Sequence, residues 1–391
     1  NEAEHISKKD LQRKVLYAAQ ISTYYRFSSF KRQPFDQTSS KIRVKKEILS
    51  DITPKEEMDF REQIVEEPIY RLIASCQKEN GWIGNGFHGP NKEAGPYENQ
   101  EVGTKYLAEK AVGKEDPVLK RAMEAFVTTK LTDLCYRTKG KYFDEFRYAA
   151  NGQNLIRCAC IARAGYDDFI DIKPQIQLSL DSFRRVLEID SILDIVRPLK
   201  GRLCRSNPSG ITYVFNDYEK WPCRYHLDIL AHTESWKTEE NIKMLADSIA
   251  KMMKNDRPGL IGVCASSWVG YQLGTLGCFP SQGLSVKQTC LLPSPISIEY
   301  RNRPENFNLE YIEWFARCGV VPYVPALKEA VGEIAGSVDE KGVCNIPVLK
   351  AALKGIGTYG GQQLETDWKT PIKRLCDITF RALLILYYSQ R

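Results

Sequence analysis

The sequence predicts an all-α fold, an α/α toroid of repeated helical hairpins, and three observations predict it. Residues 99–126 and 151–178 superpose at an offset of 52, with Asn99 on Asn151, Lys105 on Arg157, Gly113 on Gly165 and Asp116 on Asp168. Apolar residues recur at helical spacing, as in Ile242, Leu245, Ala246, Ile249 and Met253. Between the periodic segments lie short loops containing glycine and aromatic residues: Gly81 to Gly84, Gly140 to Phe143, Gly259 to Trp268 and Gly360 to Trp368.

The elements follow in order. Thr53-Pro54-Lys55-Glu56 opens the first clear helix, with a capping hydroxyl, proline at the first helical position and Glu56 placed to close a capping box. Pro68 interrupts the pattern, and a second helix runs from Ile69 to Cys76. In both copies of the repeat a helix is expected to end at the glycine, which accepts a left-handed backbone, and another to start near the aspartate, which caps free amides. A third, degenerate copy runs from Leu309 through Gly319, Pro322 and Pro325 to Ala335, and a fourth pairs Tyr225 to His232 with Asn241 to Met253. Residues 1–52 read as an extension packed on the main body and 53–391 as one toroid domain, since no Ser/Gly/Pro linker divides the chain.

Composition narrows the function classes. The 43% apolar content, with 20 Tyr, 15 Phe and 6 Trp in 391 residues, is enough for a large core and an aromatic-lined cavity. The 55 basic residues are interspersed with 49 acidic ones for a net charge of +6, so nucleic acid is not an expected partner, and the patch Lys41, Arg43, Lys45 and Lys46 reads as a solvated surface. The twelve cysteines sit in apolar helical settings such as Cys158-Ala159-Cys160, which points to free thiols and a cytoplasmic location. No apolar run reaches membrane-spanning length, Phe380 to Tyr388 included, so no membrane association is expected.

At these residues the chain resembles the α/α-toroid proteins of the terpenoid-cyclase and protein-prenyltransferase-like group, with its uncharacterised bacterial branch. Gln77-x-x-x-Gly81-Trp82 is similar to the cyclases' repeated Gln-and-Trp motif, one residue short before the Trp, and the stretch from Tyr106-Leu107-Ala108 to Asp116-Pro117-Val118-Leu119 looks like their hairpins. The resemblance spans roughly residues 60–390 and implies a central funnel. It does not carry the group's chemistry across: the protonating Asp-x-Asp-Asp motif is absent and no zinc ligand set of the prenyltransferases is assignable.

Several constellations carry competing readings. Asp167, Asp168 and Asp171 match an aspartate-rich magnesium and diphosphate signature, but Asp168 falls on Asp116 in the repeat, which favours helix capping. Gly84-x-Gly86-x-x-Gly89 matches a dinucleotide fingerprint without its strand and helix, and reads as a loop carrying Trp82, Phe87 and His88 to a cavity rim. Cys223, His226 and His232 offer zinc-compatible ligands at an awkward spacing. Neither cluster is a favoured metal site, and no cofactor is expected. Asp144, Glu145 and His226 are the candidate catalytic groups. The ligand-binding candidates are Trp82, His88, Tyr97, Glu98, Tyr148, Tyr225 and His226, which neither capping nor apolar periodicity explains and which fall at loop-to-helix junctions.

Three readings therefore stand side by side: a protein binding a small or extended organic ligand in an aromatic-lined cavity, a carbohydrate-active lyase or hydrolase acting on an oligosaccharide, and a non-catalytic interaction scaffold.

Overall fold

The computed structural model describes residues 38–87, 95, 97–129, 152–190, 192–203, 211–215, 222, 224–254, 309–340, 342–346, 364 and 368–391. Helices dominate. The α-helices are α1 (Thr38–Arg43, running into a π-helical turn Val44–Leu49), α2 (Pro54–Val65), α3 (Pro68–Cys76), α4 (Gln100–Glu109), α5 (Pro117–Thr128), α6 (Gly152–Arg163) and α7 (Lys173–Glu188). They continue as α8 (Arg224–Ala231), α9 (Glu239–Lys254), α10 (Leu309–Arg317), α11 (Pro325–Gly336) and α12 (Pro371–Tyr388). Strand structure among the described residues is confined to isolated bridges and one antiparallel hairpin, β1 (Val196–Leu203) with β2 (Ile211–Phe215), in which Val196 faces Phe215 and Leu203 faces Ile211 around an irregularity. The helical periodicity did not anticipate that hairpin.

The described helices divide between two compact units: residues 1–125, 298–322 and 327–391 in the first, 126–297 and 323–326 in the second. In the first, α1 packs on α2, α2 on α3, and α10 on α12. In the second, α6 and α7 both pack on α8, and α7 on α9.

Helices of two kinds alternate along the chain. Almost every residue of α4, α8 and α10 is buried. By contrast α5, α7 and α9 each bury a single stripe, such as Leu119, Ala122, Met123 and Phe126 of α5, or Leu245, Ala246, Ile249 and Met252 of α9. A helix buried all round belongs to an interior layer and a one-sided helix to an outer layer.

The start of α2 follows its sequence signature: the Thr53 hydroxyl accepts from the Glu56 amide at 3.2 Å and the Glu56 carboxylate accepts from the Thr53 amide at 3.0 Å. The helix ends expose a register that sequence alignment misplaces. After α6, Gly165 is left-handed (φ 68°), its amide reaches Ala162 O and the next amide, of Tyr166, reaches Ile161 O at 3.0 Å. After α10, Gly319 (φ 75°) and Val320 do the same. After α4 the equivalent residue is Ala111 (φ 58°), with Val112 N–H bonded to Leu107 O, and not Gly113. Gly113 instead leaves room for the Arg61 guanidinium, which a Cβ there would strike.

The segment before Thr53 is no loose appendage in its described part. Ile42 and Val44 are fully buried, and the presumed surface lysines are engaged: Lys45 with Glu56 at 2.7 Å and Lys46 with Glu57 at 2.8 Å. No helix among the described residues is long and apolar enough to cross a membrane.

Candidate functional site

The connection from α3 to α4 gathers three of the sequence candidates, Trp82, Tyr97 and Glu98. α3 stops at Cys76 because Gln77 turns extended and its amide group donates to Gly81 O at 3.0 Å and Val118 O at 2.8 Å. The turn closes through Lys78 N–H to Trp82 O at 2.9 Å. Two positions in this loop admit only glycine. Gly81 (φ 84°) lies against the Arg121 carbonyl and Gly84 (φ 62°) against the Glu98 carbonyl, so a Cβ at either place would collide with backbone. Gly84 bridges to Asn99, and the buried Gln100 side chain accepts from Ile83 N–H at 2.7 Å while donating to Ala122 O at 2.8 Å. Asn99 caps α4 through Val102 N–H at 2.9 Å.

This stitching fixes a rim at the start of α4. Trp82, Tyr97 and Glu98 each keep part of their surface in solvent. The Trp82 ring packs on Phe87 at 5.9 Å, and Tyr97 meets Tyr106 edge to face at 5.1 Å. The Glu98 carboxylate accepts from the Gly95 amide and, at 3.5 Å, from the Cys76 thiol. Burial, and then Glu98, push the Cys76 thiol pKa up. Behind the rim Tyr106 donates to Glu67 at 3.0 Å, and Lys110 pairs with Glu67 and donates to Leu364 O, both at 2.6 Å.

The other candidates are placed differently. His226 was expected at the mouth of an inner helix; it is instead buried on α8 beside an equally buried Tyr225, with Nε2 3.5 Å from the Ser182 hydroxyl. Burial pushes its pKa down to about 3, which leaves a neutral imidazole. α8 is buried from Tyr225 to Ala231, its polar His226 and Asp228 included, so no face of that stretch opens outward. His88, Asp144, Glu145, Tyr148 and Cys223 lie outside the described residues.

His232 Nδ1 is tied to the buried Asp228, 2.8 Å from its carbonyl and 3.0 Å from its carboxylate, and Arg163 approaches the same carboxylate at 3.3 Å. Among the described residues no three His, Cys, Asp or Glu side chains gather as a metal would require. Asp167, Asp168 and Asp171 are spread along the turn before α7; the N-cap position of α7 is held by Ile172, not Asp168, and the Asp171 carboxylate accepts from the Lys173 amide at 3.0 Å.

Sequence reasoning missed a buried ionic network in the first unit. Arg381 of α12 donates to Glu313 of α10 at 2.8 Å and pairs with Glu109 of α4; Arg43 pairs with Glu109 and with Glu47. Arg317 closes the ring to Glu313 at 2.8 Å and Glu47 at 3.4 Å. Burial alone would raise the Glu313 pKa, but the guanidinium groups of Arg381, Arg317 and Arg43 outweigh it and hold the carboxyl well below the usual range. Three cations answer three anions. A local signal existed in the i, i+4 pairs Arg43/Glu47 and Glu313/Arg317, but the links between helices span from 66 to 272 residues.

Comparison with protein-family models, with curated proteins and with solved structures finds no match to this chain.

Proposed function

We propose that the chain binds a small or extended organic ligand, and that the rim of Trp82, Tyr97 and Glu98 at the start of α4 holds it. The observation that carries this reading is their convergence: three candidates singled out from sequence meet at one stitched loop and stay partly exposed. Binding residues set on a loop held by a rigid scaffold are the usual arrangement. The alternation of wholly buried and one-sided helices supports the further proposal that the hairpins form an α/α toroid, in distant likeness to the cyclase and prenyltransferase group. The buried free thiols Cys158 and Cys344 support a cytoplasmic setting.

The test is a thermal-shift screen with neutral, cationic and anionic organic compounds, repeated on Trp82→Ala. A ligand at 100 times its Kd stabilises by about 2.7 kcal/mol, and that increment is to vanish in Trp82→Ala. A ligand whose shift survives both Trp82→Ala and Tyr97→Ala binds elsewhere and removes the rim from the reading.

A second reading, the non-catalytic scaffold, is favoured by the ionic network, because Arg43, Glu109, Glu313 and Arg381 fill the interior of the first unit with side chains committed to one another. It predicts no stabilising compound in the same screen. The carbohydrate-active reading keeps Asp144, Glu145 and His88 as its candidates, since the buried His226 has no access to a substrate.

A further inference from the structure

We infer that the ligand held at this rim presents a cationic head, an alkylammonium or quaternary ammonium group, to Glu98; the inference rests on the rim being the ligand site. Three features decide the sign of charge. The first is the carboxylate. Glu98 accepts one bond on each oxygen, from Gly95 N–H and the Cys76 thiol, so each oxygen keeps a lone pair, and among the described residues no lysine or arginine is paired with it. Among the described residues, Lys105 is committed to Glu101 at 2.7 Å, Lys110 to Glu67, and Arg121 to the carbonyls of Lys78 and Glu79 at 2.7 and 3.0 Å.

The second feature is the helix terminus. A helix N-terminus holds anions through unsatisfied amides that donate directly to them, backed by the helix dipole. Here they are used up: Gln100 N–H goes to Gly86 O, Glu101 N–H to Phe87 O, Val102 N–H to the Asn99 side chain and Gly103 N–H to Asn99 O. A diphosphate or a uronate arriving at the rim meets a carboxylate and no free donor from α4. The third feature is the pair of part-exposed rings on the same loop. Trp82 and Tyr97 stand on the two segments joined by the Gly84–Asn99 bridge, each just before its bridge residue, and indole and phenol faces stabilise a desolvated cation by about 0.5–2 kcal/mol.

The experiment uses calorimetric titration of the full chain with three probes: choline, its uncharged carbon isostere in which a tert-butyl group replaces trimethylammonium, and inorganic pyrophosphate. Choline is expected to bind, the isostere to bind at least about tenfold more weakly, and Glu98→Gln to remove most of that difference while the melting temperature stays within a few degrees. Trp82→Phe, which keeps a ring, is to retain the preference for choline, and Trp82→Ala to lose it. Equal binding of choline and the isostere, both lost in Trp82→Ala, overturns the cationic assignment and leaves the rim as the site. Preference for pyrophosphate, or choline binding indifferent to Glu98→Gln, also overturns it. Failure of every probe to bind at millimolar concentration overturns the cationic assignment, while the screen with Trp82→Ala continues to judge the rim itself.

Discussion

Arg381 donates to Glu313 across 2.8 Å with both side chains shielded from water, tying α12 to α10 at the centre of the first unit. Removing one member of a buried pair leaves an uncompensated charge. Arg381→Met is therefore expected to destabilise the protein by about 3–5 kcal/mol in urea unfolding, and the double variant Arg381→Met/Glu313→Gln to recover part of that loss.

Acid should weaken the fold in two stages with separate causes. The His226 pKa is about 3 in the folded chain and near 6.5 when unfolded. The folded value is the lower one, so the contribution is full above pH 6.5 and is lost as pH falls from there toward 3, at up to about 1.4 kcal/mol per pH unit. Glu313, also depressed, contributes fully above its unfolded value of 4.5 and loses that contribution below it. Stability measured from pH 7 to 3 should decline from about pH 6.5 and steepen below about 4.5. His226→Leu should flatten the first stage and leave the second.

Replacing Ala111 by glycine should stabilise, because alanine there holds a left-handed backbone that its counterparts Gly165 and Gly319 adopt freely. Relief of that strain, less the entropy of an added glycine, gives about 0.5–1 kcal/mol, readable as a raised melting temperature. An unchanged or lowered value would show that Ala111 is not strained.

At the caps, Asp116 and Asp171 should matter and Asp168 should matter less. Asp116 accepts from the Val118 and Leu119 amides and from the Tyr70 hydroxyl at 2.7 Å. Asp116→Ala is expected to cost about 1–2 kcal/mol and Asp171→Ala about 0.5–1, by denaturant unfolding. An Asp168→Ala loss as large as that of Asp116→Ala would restore the register read from sequence.

Buried thiols should stay silent until the protein unfolds. Burial pushes the pKa values of Cys158 and Cys344 up to about 11, so at pH 8 neither is expected to react with an alkylating reagent in the native state. Both should be labelled in denaturant without added reductant. Rapid native labelling of either would contradict their placement.

Local chemistry made much of this legible in the sequence. The Thr53–Glu56 capping box, the one-sided stripes of α5 and α9, and the odd aromatic and acidic residues at the α4 start all depend on neighbours a few positions away. The repeat was legible too, but its register was not. Alignment set Gly113 on Gly165, whereas the equivalent left-handed residue is Ala111, a shift of two, and the carboxylate that meets the first amide of α7 is Asp171. An identical letter is weak evidence of an identical backbone angle when glycine also serves close approach, as Gly113 does beside Arg61. His226 was misplaced because composition does not say which helices are covered on every side. The ionic ring escaped notice because its members are joined only by tertiary contact.

That ring also sets a timetable for synthesis. Glu47 accepts from the Tyr388 hydroxyl, 341 residues further along the chain. At ribosomal speeds of about 5–20 residues per second, roughly 20–70 s separate the emergence of the two partners. For that interval the strap carrying Ile42, Arg43 and Glu47 waits without its C-terminal counterpart. A nascent chain arrested before Pro371 would hold Arg43 and Arg317 in an open seam, a natural place for a chaperone to bind and for a ribosome-tethered protease assay to cut.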